Sequence, residues 1–313
     1  MRRWVGLSLF VVTTTALVGC GSIVRVSRDF SFTAPWEDYQ RVVVNTHNGR
    51  VELAATGTSE IDISGTKRAG GLTYAEAEEN LDQVTIVAEP DAADPTTFRI
   101  SVDYPAHLRG KSIAASFVIH VPEPCAAEIA TGNGSIRAEN LRDQVVLRTS
   151  NGRITLSDIA GNVRVRTSNG RVEAERIDGE LYVDTGNGSV SVRALEGVCE
   201  LETSNGAVEA VDVRGDISVT TSNGRIRVEA APPEDASVIL RTSNGSIHVT
   251  LPATMRGDLT LSTSNGRVST SMDQVSLTSP SWSRRRFEAV MNGGGGGRIV
   301  ARSSNGSITF ICR

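Results

Sequence analysis

Along most of the chain, apolar and polar residues alternate in short runs, and the runs return at a fixed interval. The motif [Ser/Thr]-x-Asn-Gly-x-[Ile/Val] recurs at Asn48, Asn133, Asn151, Asn169, Asn187, Asn205, Asn223, Asn244, Asn265 and Asn305. From Asn133 to Asn223 the interval is 18 residues five times running, then 21 twice, then 40. Six and four residues before the asparagine stand apolar pairs such as Val145 and Leu147, Val163 and Val165, Leu181 and Val183, and Ile217 and Val219. Two before it is always Thr or Ser. Three and five after it come Ile154 and Leu156, Val172 and Ala174, Val190 and Val192, and eight after it Ile159, Ile177, Leu195 and Val213. Ten after it lies a second corner, at Gly161, Gly179, Gly197 and Gly215. Period-two alternation on both sides of a turn predicts two short, half-buried strands per unit.

Two architectures use such a unit. Asn-Gly between alternating strands is a strong hairpin signal, and an array of hairpins satisfies the alternation. It would also need about twenty strands in one meander, where twisted open sheets rarely exceed about ten. The alternative stacks each unit on the previous one, so that position 163 lies under 181 and equivalent residues become neighbours about 4.8 Å apart. That arrangement explains the asparagine by more than turn preference, because stacked carboxamides can bond along the axis. The expected fold class is therefore all-β, a parallel β-solenoid with about 18 to 21 residues per coil. The expected structural ladder is Asn133, Asn151, Asn169, Asn187, Asn205, Asn223, Asn244, Asn265 and Asn305. The glycine after each is read as supplying a positive φ without a Cβ clash. Cys199 falls in the apolar row of Val163, Leu181 and Ile217, and reads as a buried small hydrophobe.

The motif lapses for 85 residues between Asn48 and Asn133, yet strand-like runs continue at Ile61 to Ser64, Val84 to Val87, Phe98 to Val102 and Ser116 to Val121. Thr73-Tyr74-Ala75-Glu76 has the form of a capping box and predicts one short helix over about Ala75 to Gln83. A solenoid needs its apolar end covered, and this segment is the candidate cap. The run Gly293 to Gly297 lacks the Gly-Lys-Ser/Thr ending of a phosphate loop and reads as a flexible corner.

The first residues change the picture of where the protein works. Met-Arg-Arg-Trp, an apolar run from Val5 and the ending Leu17-Val18-Gly19-Cys20 form a signal-peptide pattern too short for a comfortable membrane span. The ending also resembles a bacterial lipoprotein signal, in which the Cys20 thiol takes the lipid and becomes the new N-terminus. The expected organisation is then a removed signal at 1–19, a lipidated tether at 20–35 and one solenoid domain at 36–313, comprising irregular coils and cap at 36–125, regular coils at 126–272 and C-terminal coils at 273–313. Gly21, rather than Asp, after the cysteine points to the outer membrane rather than the inner.

Composition adds two exclusions. Of 32 basic residues only Lys67 and Lys111 are lysines, and removal of residues 1–19 leaves 30 basic against 36 acidic, a net charge of −6 that gives no reason to expect nucleic-acid binding. Apart from Cys20, Cys125, Cys199 and Cys312 leave an odd thiol, no spacing that suggests a metal, and room for one disulfide whose pairing the sequence does not specify. The chain shows no acidic ladder at 18-residue spacing, no Gly-x-Ser-x-Gly elbow and no His-Glu-x-x-His; His47, His107, His120 and His248 are scattered. No catalytic residue, metal or cofactor is expected. Outward positions carry arginines, among them Arg148, Arg166, Arg153 and Arg171, and Arg166 is placed to pair with Asp184 across coils.

The repeated units, the opening Val42-Val43-Val44-Asn45-Thr46-His47-Asn48-Gly49, the run Val118-Ile119-His120-Val121-Pro122 and the glycine-rich turn before the last motif together resemble the bacterial domain of unknown function 4097 family, labelled candidate adhesins. The resemblance covers about Trp36 to Arg313. It implies a right-handed parallel β-helix and brings no catalytic residues. The function expected first is a non-enzymatic lipoprotein, attached to a membrane through Cys20, whose solenoid binds a glycan or an envelope protein at the surface or in the periplasm. An envelope-stress sensor or partner-docking module is the second reading, and a carbohydrate-active enzyme the third.

Overall fold

The computed structural model describes residues 23–36 and 38–313, so the expected signal segment and Cys20 lie outside the described residues. No helix among the described residues is long and apolar enough to cross a membrane. Strand pairing excludes the hairpin array. Val163 pairs with Leu181, Val165 with Val183 and Thr167 with Thr185, all parallel, and the same register repeats one coil further on. The fold is a parallel β-solenoid with one α-helix near its N-terminal end. The chain divides into two compact units, Met1–Arg153 and Ile154–Arg313.

The first unit contains β1 (Val24–Pro35), β2 (Arg41–Thr46), β3 (Val51–Thr56), β4 (Glu60–Gly71), α1 (Tyr74–Asp82), β5 (Thr85–Pro90), β6 (Thr97–Asp103), β7 (Ala114–Pro122), β8 (Ala126–Thr131), β9 (Ile136–Glu139) and β10 (Val145–Thr149). One of its sheets runs β1-β4-β7-β3-β9 and the other β10-β8-β2-β6-β5. The coil made by β2 and β3 therefore lies between two coils that follow it in sequence, β6 with β7 on one side and β8 with β9 on the other. The lapse of 85 residues is an excursion that ends by returning to this first coil.

The expected tether stops short, because β1 begins at Val24 and pairs antiparallel with β4 over its full length. Its inward residues, Val26 and Phe30, are buried, so residues 24–35 belong to the folded body. The helix forms one residue earlier than expected. Thr73 caps it by accepting from Glu76 N–H at 3.1 Å, while the Glu76 carboxylate accepts from Leu72 N–H at 2.8 Å, one residue before the cap. Ala77 and Leu81 bury against Val26, Ala69, Val84, Leu108 and Ile113, a small core that covers β1 and β4. Lys67 donates to the Val84 and Leu81 carbonyls at 2.7 and 3.3 Å, which holds the end of the helix, and burial there lowers its ammonium pKa.

The second unit contains β11 (Ile154–Ala160), β12 (Val163–Thr167), β13 (Val172–Asp178), β14 (Leu181–Thr185), β15 (Val190–Glu196), β16 (Cys199–Thr203), β17 (Val208–Arg214), β18 (Ile217–Thr221), β19 (Ile226–Glu229), β20 (Val238–Thr242), β21 (Ile247–Leu251), β22 (Gly257–Thr263), β23 (Val268–Met272), β24 (Leu277–Ser283), β25 (Arg286–Met291), β26 (Gly297–Ser303) and β27 (Ile308–Cys312). Stacking follows sequence order only as far as β21. The coil of β26 and β27 then inserts between that of β20 and β21 and that of β22 and β23, all parallel. The intervening β24 and β25 form an antiparallel hairpin on β22. The chain turns back from β25 through Gly293, Gly294 and Gly295, at φ values of 82°, 72° and 73°, where other side chains would be strained.

Close stacking dictates the repeated residues. The Asn-Gly glycines of the regular coils do not have the expected positive φ; that conformation belongs to the opposite corner, at Gly161, Gly179 and Gly197. They are glycines because an ideal Cβ on Gly206 would lie 1.8 Å from the Gly188 carbonyl oxygen, and one on Gly224 1.7 Å from that of Gly206. The same carbonyl explains the residue two before asparagine. Buried Thr203 and Thr221 donate to Gly188 O at 3.1 Å and Gly206 O at 3.2 Å, and each accepts from its own glycine N–H three residues on, at 3.2 and 3.1 Å. A buried hydroxyl is thus satisfied twice.

A third device makes the coil close. Inward positions fall three, five and eight residues after asparagine, so alternation slips by one. The slip is absorbed at Asp158, Arg176, Ala194 and Asp212, with φ of 58°, 54°, 52° and 53°, which drop out of the pairing register. A left-handed residue without glycine costs about 1–2 kcal/mol. It brings Ile159, Ile177, Leu195 and Val213 into the core, where burying an aliphatic side chain returns about 1.5–3 kcal/mol.

Replacing Gly206 with Ala should destabilise the protein by about 3 kcal/mol or more in urea unfolding. At Gly57, where nothing lies within 4 Å of a built Cβ, the same change should stay within about 0.5 kcal/mol. Deleting residues 169–186, one whole coil, should preserve a single cooperative transition. Removal of nine of those residues should abolish it, because every inward side chain beyond the cut loses its register.

Candidate functional site

The asparagines form rails on the surface. In the first unit Asn133 Nδ2 donates to Asn48 Oδ1 at 2.8 Å and Asn151 Nδ2 to Asn133 Oδ1 at 2.7 Å. Asn48, which the expected ladder omitted, is therefore a member. In the second unit the rail runs through Asn169, Asn187, Asn205, Asn223, Asn244, Asn305 and Asn265, with donor–acceptor distances of 2.6–2.8 Å. Asn305 stands between Asn244 and Asn265, which corrects the expected sequential order and follows from the inserted coil. Each carboxamide spends a donor on one neighbour and an acceptor on the other, so the rail is structural and presents little to a ligand.

The cysteines are also structural. Cys125, Cys199 and Cys312 are free and buried, and burial pushes each thiol up to about 12. The disulfide allowed for in the sequence does not form among them. A thiol held so far above its ordinary pKa stays protonated at pH 8, which removes the nucleophilic form. All three should stay unreactive toward a thiol reagent at pH 8 in the native protein and react once it is unfolded in urea.

Several outward arginines form cross-coil pairs. Arg166 meets Asp184 at 3.2 Å as expected, Arg148 meets Glu128 at 2.5 Å, and Arg176 grips Asp158 through two bonds of 2.6 and 2.8 Å. The hydrogen bonds from Arg176 hold the Asp158 carboxyl below its ordinary pKa. Such exposed pairs contribute about 0 to 1 kcal/mol each. His248 faces outward between Arg227 and Thr309 on the neighbouring strands. Among the described residues no three His, Cys, Asp or Glu side chains gather as a metal site.

One place differs. At the carboxyl ends of the parallel strands β2 and β6, beside the start of β5, the first unit has an open cleft of about 750 Å³. Asn45 and Ser101 are register partners on its floor, and Thr85 faces Asp103 across the antiparallel pair. His47 adds an imidazole from the first Asn-Gly turn, Gln83 a carboxamide from the end of the helix, and Tyr104 and Arg109 flank the short 3-10 turn Ala106–Leu108. Among the described residues the side chains of His47, Asp103 and Arg109 have no hydrogen-bond or ion-pair partner. Tyr104 is different, since it packs against the small core around Leu108. Sequence reasoning missed this constellation. Only His47 belongs to a motif; the others are single polar residues drawn from separate irregular segments.

A family model described as Toastrack DUF4097 matches residues 39–281. The chain belongs to the Toastrack DUF4097 family. No curated protein sequence matches it. Three crystal structures are similar to this Toastrack chain at low level. A candidate cell adhesion protein from Clostridium sporogenes is 10% identical, with 90% of this chain and 99% of that one covered and a TM-score of 0.25. A candidate adhesin from Bacteroides fragilis is 13% identical, covering 91% and 97%, with a TM-score of 0.37. One from Parabacteroides distasonis is 10% identical, covering 91% and 97%, with a TM-score of 0.36. Membership rests on the sequence match and not on these overlays.

Proposed function

We propose that the chain is a non-enzymatic binding scaffold of the cell envelope, attached to the outer membrane by lipid on Cys20, with the cleft of the first unit as its recognition site. The observation that carries this reading is the gathering of unengaged polar groups in one concavity of the first unit. The cleft brings together a carboxylate, a guanidinium and an imidazole that no other side chain engages. Small-ligand sites occupy about 300–1,000 Å³ and place a few convergent polar groups on a preformed wall. Here the wall is a paired sheet and a capped helix, so the groups are presented on a frame that needs no ordering when a ligand arrives.

The anchor follows from the Leu-x-Gly-Cys ending, since stable attachment takes more than one acyl chain and lipoprotein processing supplies several. Replacing Cys20 with Ala should move the protein from the membrane fraction to the soluble fraction and abolish incorporation of labelled palmitate. Retention in the membrane fraction without label would sink the lipid-anchor reading. Protease shaving of intact cells then separates a surface position from a periplasmic one.

A further inference from the structure

We propose that the cleft between β2, β6 and the 3-10 turn binds a neutral oligosaccharide, an inference that rests on the binding-scaffold reading and names its ligand class. The charges decide first. Asp103 and Arg109 cancel, so the cleft selects neither a polyanion nor a polycation, although the folded body carries many unbalanced acids and arginines elsewhere. Hydrogen-bonding capacity decides next. Asp103 accepts only, Arg109 donates only, and the carboxamides of Asn45 and Gln83 do both, which matches ring hydroxyls that each offer one donor and two acceptor sites. The carboxylate and guanidinium each take two bonds in a fixed plane, the geometry of neighbouring hydroxyls on one ring.

The aromatic ring supplies the remaining element. Tyr104 packs on the core that contains Leu108 and also lines the cleft, so its ring is anchored rather than free to collapse into the cavity. An anchored ring presents a flat apolar surface with a hydroxyl at its edge, suited to the C–H face of a pyranose. A folded protein partner fits less well, because stable protein interfaces need about 1,200 Å² or more of matched surface and this site is concave and local.

The test is calorimetric titration of the full mature chain with maltotetraose, chitotetraose and mannotetraose, and with tetragalacturonate as the anionic control. At least one neutral tetrasaccharide should bind with a Kd below about 1 mM, and tetragalacturonate should bind at least about tenfold more weakly. Asp103→Asn and Arg109→Gln, both at exposed positions, should each weaken binding by about tenfold without moving the melting temperature. Tyr104→Phe should remain within about threefold of the parent, and Tyr104→Ala should lose binding. Failure of all three neutral probes, preference for tetragalacturonate, or indifference to both Asp103→Asn and Arg109→Gln overturns the saccharide assignment. A photo-crosslinking residue placed at position 109 in cells keeps the two levels apart. If neutral sugars fail but position 109 traps an envelope protein, the ligand class is wrong and the scaffold reading stands. If neither engages, both fall.

Discussion

Parallel strands in register place identical positions of successive coils about 4.8 Å apart, and most of the structure depends on that spacing. At the Asn-Gly corner it brings the backbone of one coil against the carbonyl of the last, so a side chain has no room and glycine is required by contact rather than by torsion. The threonine three residues before that glycine uses the carbonyl as its acceptor, and the asparagine between them reaches the equivalent asparagine above and below. One spacing therefore accounts for three consecutive features of the motif. It also explains why the core needs few aromatic residues. A layer one strand thick is filled by the stacked Val, Leu and Ile of neighbouring coils.

Much of this was legible in the sequence because a repeat multiplies weak signals. A single Val163-x-Val165 pair is ambiguous, but its recurrence at Leu181 and Val183 in step with Asn-Gly fixes strand, face and register together. The kink at Asp158 and Arg176 was present as a three-residue step between inward positions, where alternation allows two, and it becomes interpretable only once the left-handed residue is seen. Placement of the coils was not legible. The motif at Asn305 is the same as its neighbours, and a motif that fits any level of the stack carries no address. The same holds for Asn48, which bonds to Asn133 across 85 residues. Residues 24–35 were read as tether because a lone strand beside a signal segment has no repeat to reveal it; the alternation of Val26 and Phe30 was the available clue.

The candidate site lies where repetition ends. In the regular coils every outward position has an equivalent position one coil away, and some arginine and acid side chains pair along the stack. Among residues 45–47, 83–85 and 101–109, the side chains of His47, Asp103 and Arg109 engage no other side chain. Asp103, Tyr104 and Arg109 are ordinary in sequence and become a constellation only because β6 is carried to the far side of β2. A repeat protein of this kind has two sorts of surface, uniform coils whose outward positions are stacked on equivalents and an interrupted segment whose polar residues occur singly.

The coil of β26 and β27 seated between two earlier coils has a consequence for the order of assembly. When β22 and β23 have been synthesised they cannot yet make their final parallel contacts, because the strands that belong beside them are still to come. The hairpin of β24 and β25 can hold β22 through its antiparallel pairing in that interval, leaving a slot of one coil's width. Completion of the stack is therefore a late docking event, and the strands that fill the slot lock those on both sides of it. A structure whose repeats could in principle assemble one after another instead finishes one coil in from the end, with the last strands seated between two coils already made.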